Sequence, residues 1–272
     1  MNFLELSEVA IRAARAAGAV IRVAANEPIE VQLKSGGSSY ASQVLTATDK
    51  AAERVLLEHL LPVCQTHNLA LLSEESEDDG RRFEYPYFWC IDPMDGTLAF
   101  VNRRPGYCVS VALLARNGTP HIGVVYDPTT DTVYHAVRHR GAYKNGQPWR
   151  PEPTNDHLTY VTDRTLAETP QRAIIEQILL EQVNKLGLSG IREIAGAGSV
   201  MNAIRVLENG PSCMLKLPKP ERGGGAIWDF AATACIYHEL NLPATDFAGR
   251  PLQLNRRDDV YMNHRGVRFN HW

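Results

Sequence analysis

From Phe3 to Ala25 the apolar positions recur at helical spacing. Leu6, Val9, Ala10, Ala13, Ala17, Val20 and Ile21 share one stripe, and Glu8, Arg12, Arg15 and Arg22 fall mostly elsewhere, so the pattern predicts an amphipathic helix. Ile29 to Leu33 alternates like a half-buried strand. Lys34-Ser-Gly-Gly-Ser-Ser39 follows, a small-residue loop that reads equally as a plain linker or as a lysine-led flap over an anion. Val44 to Asp49 leads into a second helix with Val55, Leu56 and Leu60 on its apolar face and Thr48 or Asp49 as N-cap. Leu69 to Leu72 is a short apolar run. Tyr87 to Ile91, apolar and rich in aromatics, has the length of a buried strand.

Beyond it, Tyr107 to Leu114, Ile122 to Tyr126 and Thr132 to Ala136 have strand character, with turns at Asn117-Gly118 and Asp127-Pro128 between them. This predicts an antiparallel meander, continued by a strand and hairpin over 141–146 with Asn145-Gly146 as the turn. Pro148, Pro151 and Pro153 interrupt regular structure and place a domain boundary there: 1–150 as an N-terminal α+β domain, 151–272 as a C-terminal α/β domain. The second half restarts with a strand at Leu158 to Thr162. A helix follows from Pro170 through Leu186, with Ile174, Ile175, Ile178, Leu179 and Val183 as core. Ile191 to Ala195 is a candidate strand. Gly196-Ala-Gly198-Ser199 then opens a helix over Val200 to Leu207, its glycines serving close packing or, more weakly, an anion. After the pliable Glu221-Arg-Gly-Gly-Gly225 loop, a helix of small and apolar residues starts at Trp228-Asp229, where the acid is either an N-cap or an inward-facing group.

Acids stand where two of the apolar runs stop. Glu74 is the first acid after Leu69 to Leu72, at the head of an acidic stretch that is otherwise a solvated loop. Asp92 and Asp95 follow Ile91, with Pro93 between them and Gly96-Thr97 directly after. The residues alone allow a surface turn, since Asp, Pro and Gly are turn formers. They equally allow a hard oxygen site for Mg²⁺, because carboxylates at neighbouring strand ends can converge on one cation.

Composition narrows the choices. The chain has 272 residues, 44% hydrophobic and 22% charged, an ordinary globular balance. A net charge of −3 gives no broad cationic surface for a nucleic acid polymer, and the pairs Arg103-Arg104 and Arg256-Arg257 read as solvated faces. Five widely spaced cysteines without a CxxC pair argue for reduced thiols rather than disulfides or zinc. Glu5 and Glu8 stand where a signal peptide would be basic, and no apolar run has membrane-spanning length, so a soluble cytoplasmic protein is expected.

Glu74-Glu75-Ser76, Trp89-Cys-Ile-Asp92-Pro-Met-Asp95-Gly-Thr97 and Trp228-Asp229-Phe-Ala-Ala232 resemble, in order and spacing, the signatures of the inositol monophosphatase superfamily, and the likeness runs over nearly the whole chain. The resemblance implies an α/β (α+β) fold, a layered α-β-α-β-α sandwich, with the active site between the halves. It implies a lithium-sensitive, Mg²⁺-dependent phosphomonoesterase acting on a small phosphorylated substrate as a homodimer. It assigns Glu74, Asp92 and the Met94 carbonyl to a first Mg²⁺ and Asp92, Asp95 and Asp229 to a second, with a third, weaker ion near Glu74. Gly96 and Thr97 would receive the phosphate on their N–H groups. Thr97, bonded to Asp49, and Glu74 would orient and deprotonate the attacking water. Lys34, Ser199 and Glu221 are the weaker candidates for substrate contacts.

The chain also departs from the family's patterns. Ser73 stands where a glycine is usual, and Leu98-Ala99 matches neither the inositol phosphatases nor the bisphosphate nucleotidases. Asp246-Phe-Ala-Gly-Arg-Pro-Leu and Tyr261-Met-Asn look more like the branch that cleaves adenosine 3′,5′-bisphosphate. Inositol-phosphate-type polyols are the expected substrates, with that bisphosphate nucleotide as alternative. A phosphometabolite-binding protein without turnover is the rival of another class.

Overall fold

The computed structural model describes residues 1–33 and 44–272, so Lys34 and the small-residue loop behind it lie outside the described residues. Helix α1 spans Phe3–Ala24 and is capped by Asn2, whose side chain accepts the Leu4 N–H at 3.1 Å. Strands β1 (Val31–Leu33) and β2 (Val44–Thr46) pair antiparallel, and helix α2 (Ala47–His67) follows directly. Its cap differs from the expectation. Thr46 is the N-cap, and Asp49 sits three residues in, accepting from the Thr46 N–H and hydroxyl, both at 2.7 Å. Thr46 alone holds the extended backbone a cap requires, while Asp49 closes a reciprocal capping box.

The seven-stranded sheet comes wholly from residues before 150. Its strands, in spatial order, are β3 (Ala70–Ser73), β4 (Tyr87–Asp95), β5 (Cys108–Ala115), β6 (Pro120–Asp127), β7 (Thr132–Val137), β8 (Ala142–Lys144) and β9 (Gln147–Pro148). β3 runs parallel to β4, and from β4 onward the strands form the antiparallel meander that the spacing predicts. Helix α3 (Thr97–Val101) follows β4. The second sheet has the order β11-β10-β12-β14-β13, from β10 (Leu158–Thr162), β11 (Ile191–Ala195), β12 (Ser212–Lys216), β13 (Ala244–Thr245) and β14 (Val267–His271). Helices α4 (Arg172–Leu186), α5 (Ser199–Glu208) and α6 (Trp228–Glu239) belong to this half.

Side-chain alternation along the strands explains the layers. On β4 and β5, Trp89, Ile91, Val109, Val111 and Leu113 face the core shared with α1 and α2. Their alternate neighbours Phe88, Cys90, Cys108, Ala112 and Leu114 face a second core filled by α5 and α6. Val161 and Met214 of the second sheet close that core from the far side, while Tyr160, Cys213 and Leu215 turn outward onto Ile175, Leu179 and Val183 of α4. The order is α-β-α-β-α, as the resemblance implies. The central strands of both sheets are buried on both faces, which is why those of the larger sheet read as near-continuous apolar runs.

Packing between layers is tight in the middle of the sandwich and one-sided at its edge. Helix α6 lies so close to β6 that a Cβ on Gly123 would stand 2.1 Å from the Ala232 carbonyl oxygen. Ile174, expected in the core of α4, is instead 55% exposed. Only Ile175, Leu179 and Val183 are buried, because α4 is an outermost layer with a single covered face.

Candidate metal centre

Strand register brings the acids together. Ser73 pairs with Ile91 across the parallel β3–β4 ladder, and the Glu74 N–H bonds the Ile91 carbonyl at 3.2 Å, so Glu74 lands beside Asp92. Asp92 is opposite Ser110 on β5. The Ser110 hydroxyl donates to the Trp228 carbonyl at 3.3 Å, which ties the first turn of α6, and with it Asp229, to the same sheet end. Glu74, Asp92 and Asp229 each present a carboxylate oxygen, all within 4.8 Å of one another. Asp92 is buried; Glu74 and Asp229 are half-buried and open the cluster on one side.

The remaining hydrogen bonds define what these groups are ready to do. Asp92 Oδ1 accepts the Met94 N–H at 3.0 Å, and its Oδ2 is buried without a partner among the described residues. Asp229 Oδ2 accepts the Ala226 N–H at 2.6 Å. Asp95 instead faces the start of α5, where the N–H groups of Ser199 and Val200 donate to its two oxygens at 3.0 and 2.9 Å. That helix end has no room for a side chain at Gly198, whose Cβ would sit 2.2 Å from Asp95 Oδ2. Gly96, at φ 87°, turns the chain into α3. There the Thr97 hydroxyl lies 3.0 Å from Asp49 Oδ1 and 3.2 Å from the Met94 carbonyl oxygen.

Gathering acids in a desolvated place raises their proton affinity. Burial pushes Asp92 well above the usual carboxylate range, and the charges of Glu74, Asp95 and Asp229 add to it. Asp229 rises well above that range for the same reasons, burial first, then Asp95 and Glu74. Asp95 is pushed up to about 7 by burial, against the pull of the Val200 N–H. Asp49 is raised by burial, an effect the Thr46 and Thr97 hydrogen bonds oppose. An oxygen-only donor set, a buried carboxylate oxygen lacking a donor, and acids that resist ionising all fit a hard divalent cation.

Other candidates lie further out. Ser199 is buried and reaches the site through its backbone N–H on Asp95, whereas Glu221 is exposed on its loop. Lys34 lies outside the described residues. Sequence reasoning passed over Lys216. This lysine ends β12, its side chain is only 13% exposed, and its ammonium lies 3.5 Å from Asp163 Oδ2. Its charge reaches both Asp95 and Asp229 and draws their carboxyls downward. The available signal was its place as the first charged residue after the apolar run Cys213-Met-Leu215.

A five-layer α/β sandwich with an acidic, cation-ready centre at the strand ends between its sheets describes a hydrolase scaffold of the sugar-phosphatase type. Residues 3–271 match the pattern of the Inositol monophosphatase family, so the chain belongs to that family and is a phosphoric monoester hydrolase. Inositol-1-monophosphatase of Bacillus subtilis is 27% identical over 252 residues, covering 92% of this chain and 88% of its own. Inositol monophosphatase 1 of Rattus norvegicus is 28% identical over 257 residues, covering 93% and 87%. Among solved structures, inositol monophosphatase from Anabaena superposes with a TM-score of 0.69 at 25% identity, covering 100% of this chain and 92% of that one. No helix among the described residues is long and apolar enough to cross a membrane.

Proposed function

We propose that the protein is a Mg²⁺-dependent phosphomonoesterase of small phosphorylated metabolites, with inositol-phosphate-type polyols as its first substrates. The observation that carries this reading is the trio Glu74, Asp92 and Asp229, converging within 4.8 Å, with one buried Asp92 oxygen lacking a donor among the described residues. Glu74, Asp92 and the Met94 carbonyl would hold one ion, and Asp92, Asp95 and Asp229 a second. A third, weaker ion would sit near Glu74. A carboxylate has about four lone-pair sites, so Asp95 can keep both α5 N–H groups and still serve as a ligand. When bound, Mg²⁺ supplies positive charge for the phosphate oxygens and acidifies a water.

The protein's own groups do the rest. The amides of Gly96 and Thr97 receive the phosphate at the start of α3. Thr97, fixed by Asp49, orients the attacking water in line with the leaving oxygen, and Glu74 takes its proton. Ser199, Glu221 and Lys34 would touch the alcohol part of the substrate. In the same proposal residues 1–150 carry most of the ligands, 151–272 contribute Asp229 and the substrate pocket, and the enzyme works in the cytoplasm as a lithium-sensitive homodimer.

The test is phosphate release by the purified protein from inositol 1-phosphate and from adenosine 3′,5′-bisphosphate, with and without Mg²⁺. Mg²⁺-dependent release from the polyol supports the reading. Release from the nucleotide alone would move the enzyme to the bisphosphate nucleotidase branch. Full Mg²⁺-dependent turnover by Asp95→Ala would refute the second metal position.

A further inference from the structure

We propose that Glu53 is a positioning residue for the metal centre, and that Ser73 works with it. The inference rests on the reading of Glu74 as a metal ligand. Glu53 lies on α2, outside the carboxylate cluster. A single oxygen, Oε1, accepts two short hydrogen bonds, from the Ser73 hydroxyl at 2.6 Å and from the Ser76 hydroxyl at 2.7 Å. These serines bracket Glu74 and Glu75. Anchoring both ends of a two-residue span to one atom leaves Glu74 little freedom in where it points. The Ser73 oxygen also receives the Glu75 N–H at 3.4 Å, and the Glu74 N–H holds the Ile91 carbonyl from the sheet side.

The position of Glu53 on its helix strengthens the argument. It falls four residues after Asp49, on the same face one turn along. Asp49 secures Thr97, and Glu53 secures the Glu74 turn, so one face of α2 steadies two separate pieces of the site. Ser73 is 2% exposed, and a hydroxyl so placed must find a partner. A glycine there would have left Glu53 only the exposed Ser76 to hold. Partners that orient a first ligand are worth about 10–100-fold in metal affinity.

The test is Mn²⁺ binding to the full chain without substrate, read from the electron paramagnetic resonance of free Mn²⁺, with thermal unfolding measured alongside. Glu53→Ala is expected to weaken Mn²⁺ binding by about tenfold or more. Glu53→Gln is expected to bind like the wild type, because its amide oxygen still accepts both hydroxyls. Should Glu53→Ala fail to fold, the double variant Ser73→Ala with Ser76→Ala removes both donors and is expected to weaken binding in the same way. Wild-type affinity in either variant, whatever its melting temperature, would reduce the clamp to a structural contact and overturn the proposal. Glu53→Gln binding as weakly as Glu53→Ala would overturn it differently, by making the charge of Glu53, and not its hold on the two serines, what binding depends on. If the wild type itself bound no Mn²⁺, the metal reading would fall and the clamp with it.

Discussion

Replacing Asp92 with asparagine should make the metal-free protein more stable while removing its response to metal. Asp92 is 2% exposed, and its Oδ2 has no hydrogen-bond donor among the described residues. Its neighbours Glu74 and Asp229 offer oxygens no more than 4.8 Å away. At that separation and an effective dielectric of 20, each like-charge pair costs roughly 3.5 kcal/mol. The raised proton affinity of Asp92 relieves part of that repulsion, so the realised gain is smaller, about 2 kcal/mol. In Asp92→Asn the new amide would keep an oxygen for the Met94 N–H and turn its own N–H toward the carboxylates, satisfying both sides of the contact. For a chain of this length the gain corresponds to a rise of about 4–8 °C in Tm. Wild type saturated at about 100 times its Kd would gain about 2.7 kcal/mol from the cation. The variant would gain nothing. Thermal unfolding followed by circular dichroism at pH 8, in chelator and then in excess Mg²⁺, reads both effects. A variant less stable than wild type in chelator, or one that keeps the Mg²⁺ shift, would refute the reasoning.

The same geometry sets two further outcomes. Asp95 holds its proton to about pH 7 in the fold against an ordinary value of 3.8, so the native state binds more protons than the unfolded chain between those limits. Its contribution therefore favours folding least above pH 7: stability of the metal-free protein falls as pH climbs from about 4 to about 7, by up to about 4 kcal/mol at roughly 1.4 kcal/mol per pH unit. A cation must displace that proton, so calorimetric Mg²⁺ affinity should rise over the same window and level off above it; affinity independent of pH would sink this account. Separately, Gly123→Ala drives a Cβ to within 2.1 Å of the Ala232 carbonyl oxygen and 2.8 Å of the Cys235 Cβ. Helix α6 must back away from β6, at a loss of about 3 kcal/mol that a urea midpoint measures. An unchanged midpoint would mean that the close approach of helix and sheet is not rigid.

Local pattern carried much of this fold. The strands Leu158–Thr162 and Ile191–Ala195 have the bounds read from the sequence, and α1 follows its stripe to within a residue. Periodicity can do this because it records which side of an element meets water, a property of neighbouring residues. The positions of Glu74 and Asp92 at the ends of apolar runs were legible for the same reason. Ile174 was not, since a stripe does not say how many of its members a neighbouring layer will cover. Nor was the cap at Thr46, since Thr48 and Asp49 just downstream offer the same capping chemistry and backbone conformation decided.

What only the tertiary structure decided depends on contacts between distant segments. The parallel register of β3 on β4 puts Glu74 beside Asp92, and the close seat of α6 adds Asp229 from over a hundred residues away. The start of α5, stripped of side-chain bulk at Gly198, supplies two N–H groups to Asp95. The charge of Lys216 reaches Asp95 and Asp229 from the end of a strand in the other sheet, and Glu53 accepts from Ser73 and Ser76 on a helix where only the apolar face was legible. Spacing marked the carboxylates, and the family resemblance gathered them into one site. Their proton affinities, their partners and the direction each one faces came from burial and register, which no window of sequence contains because they exist only once the layers close.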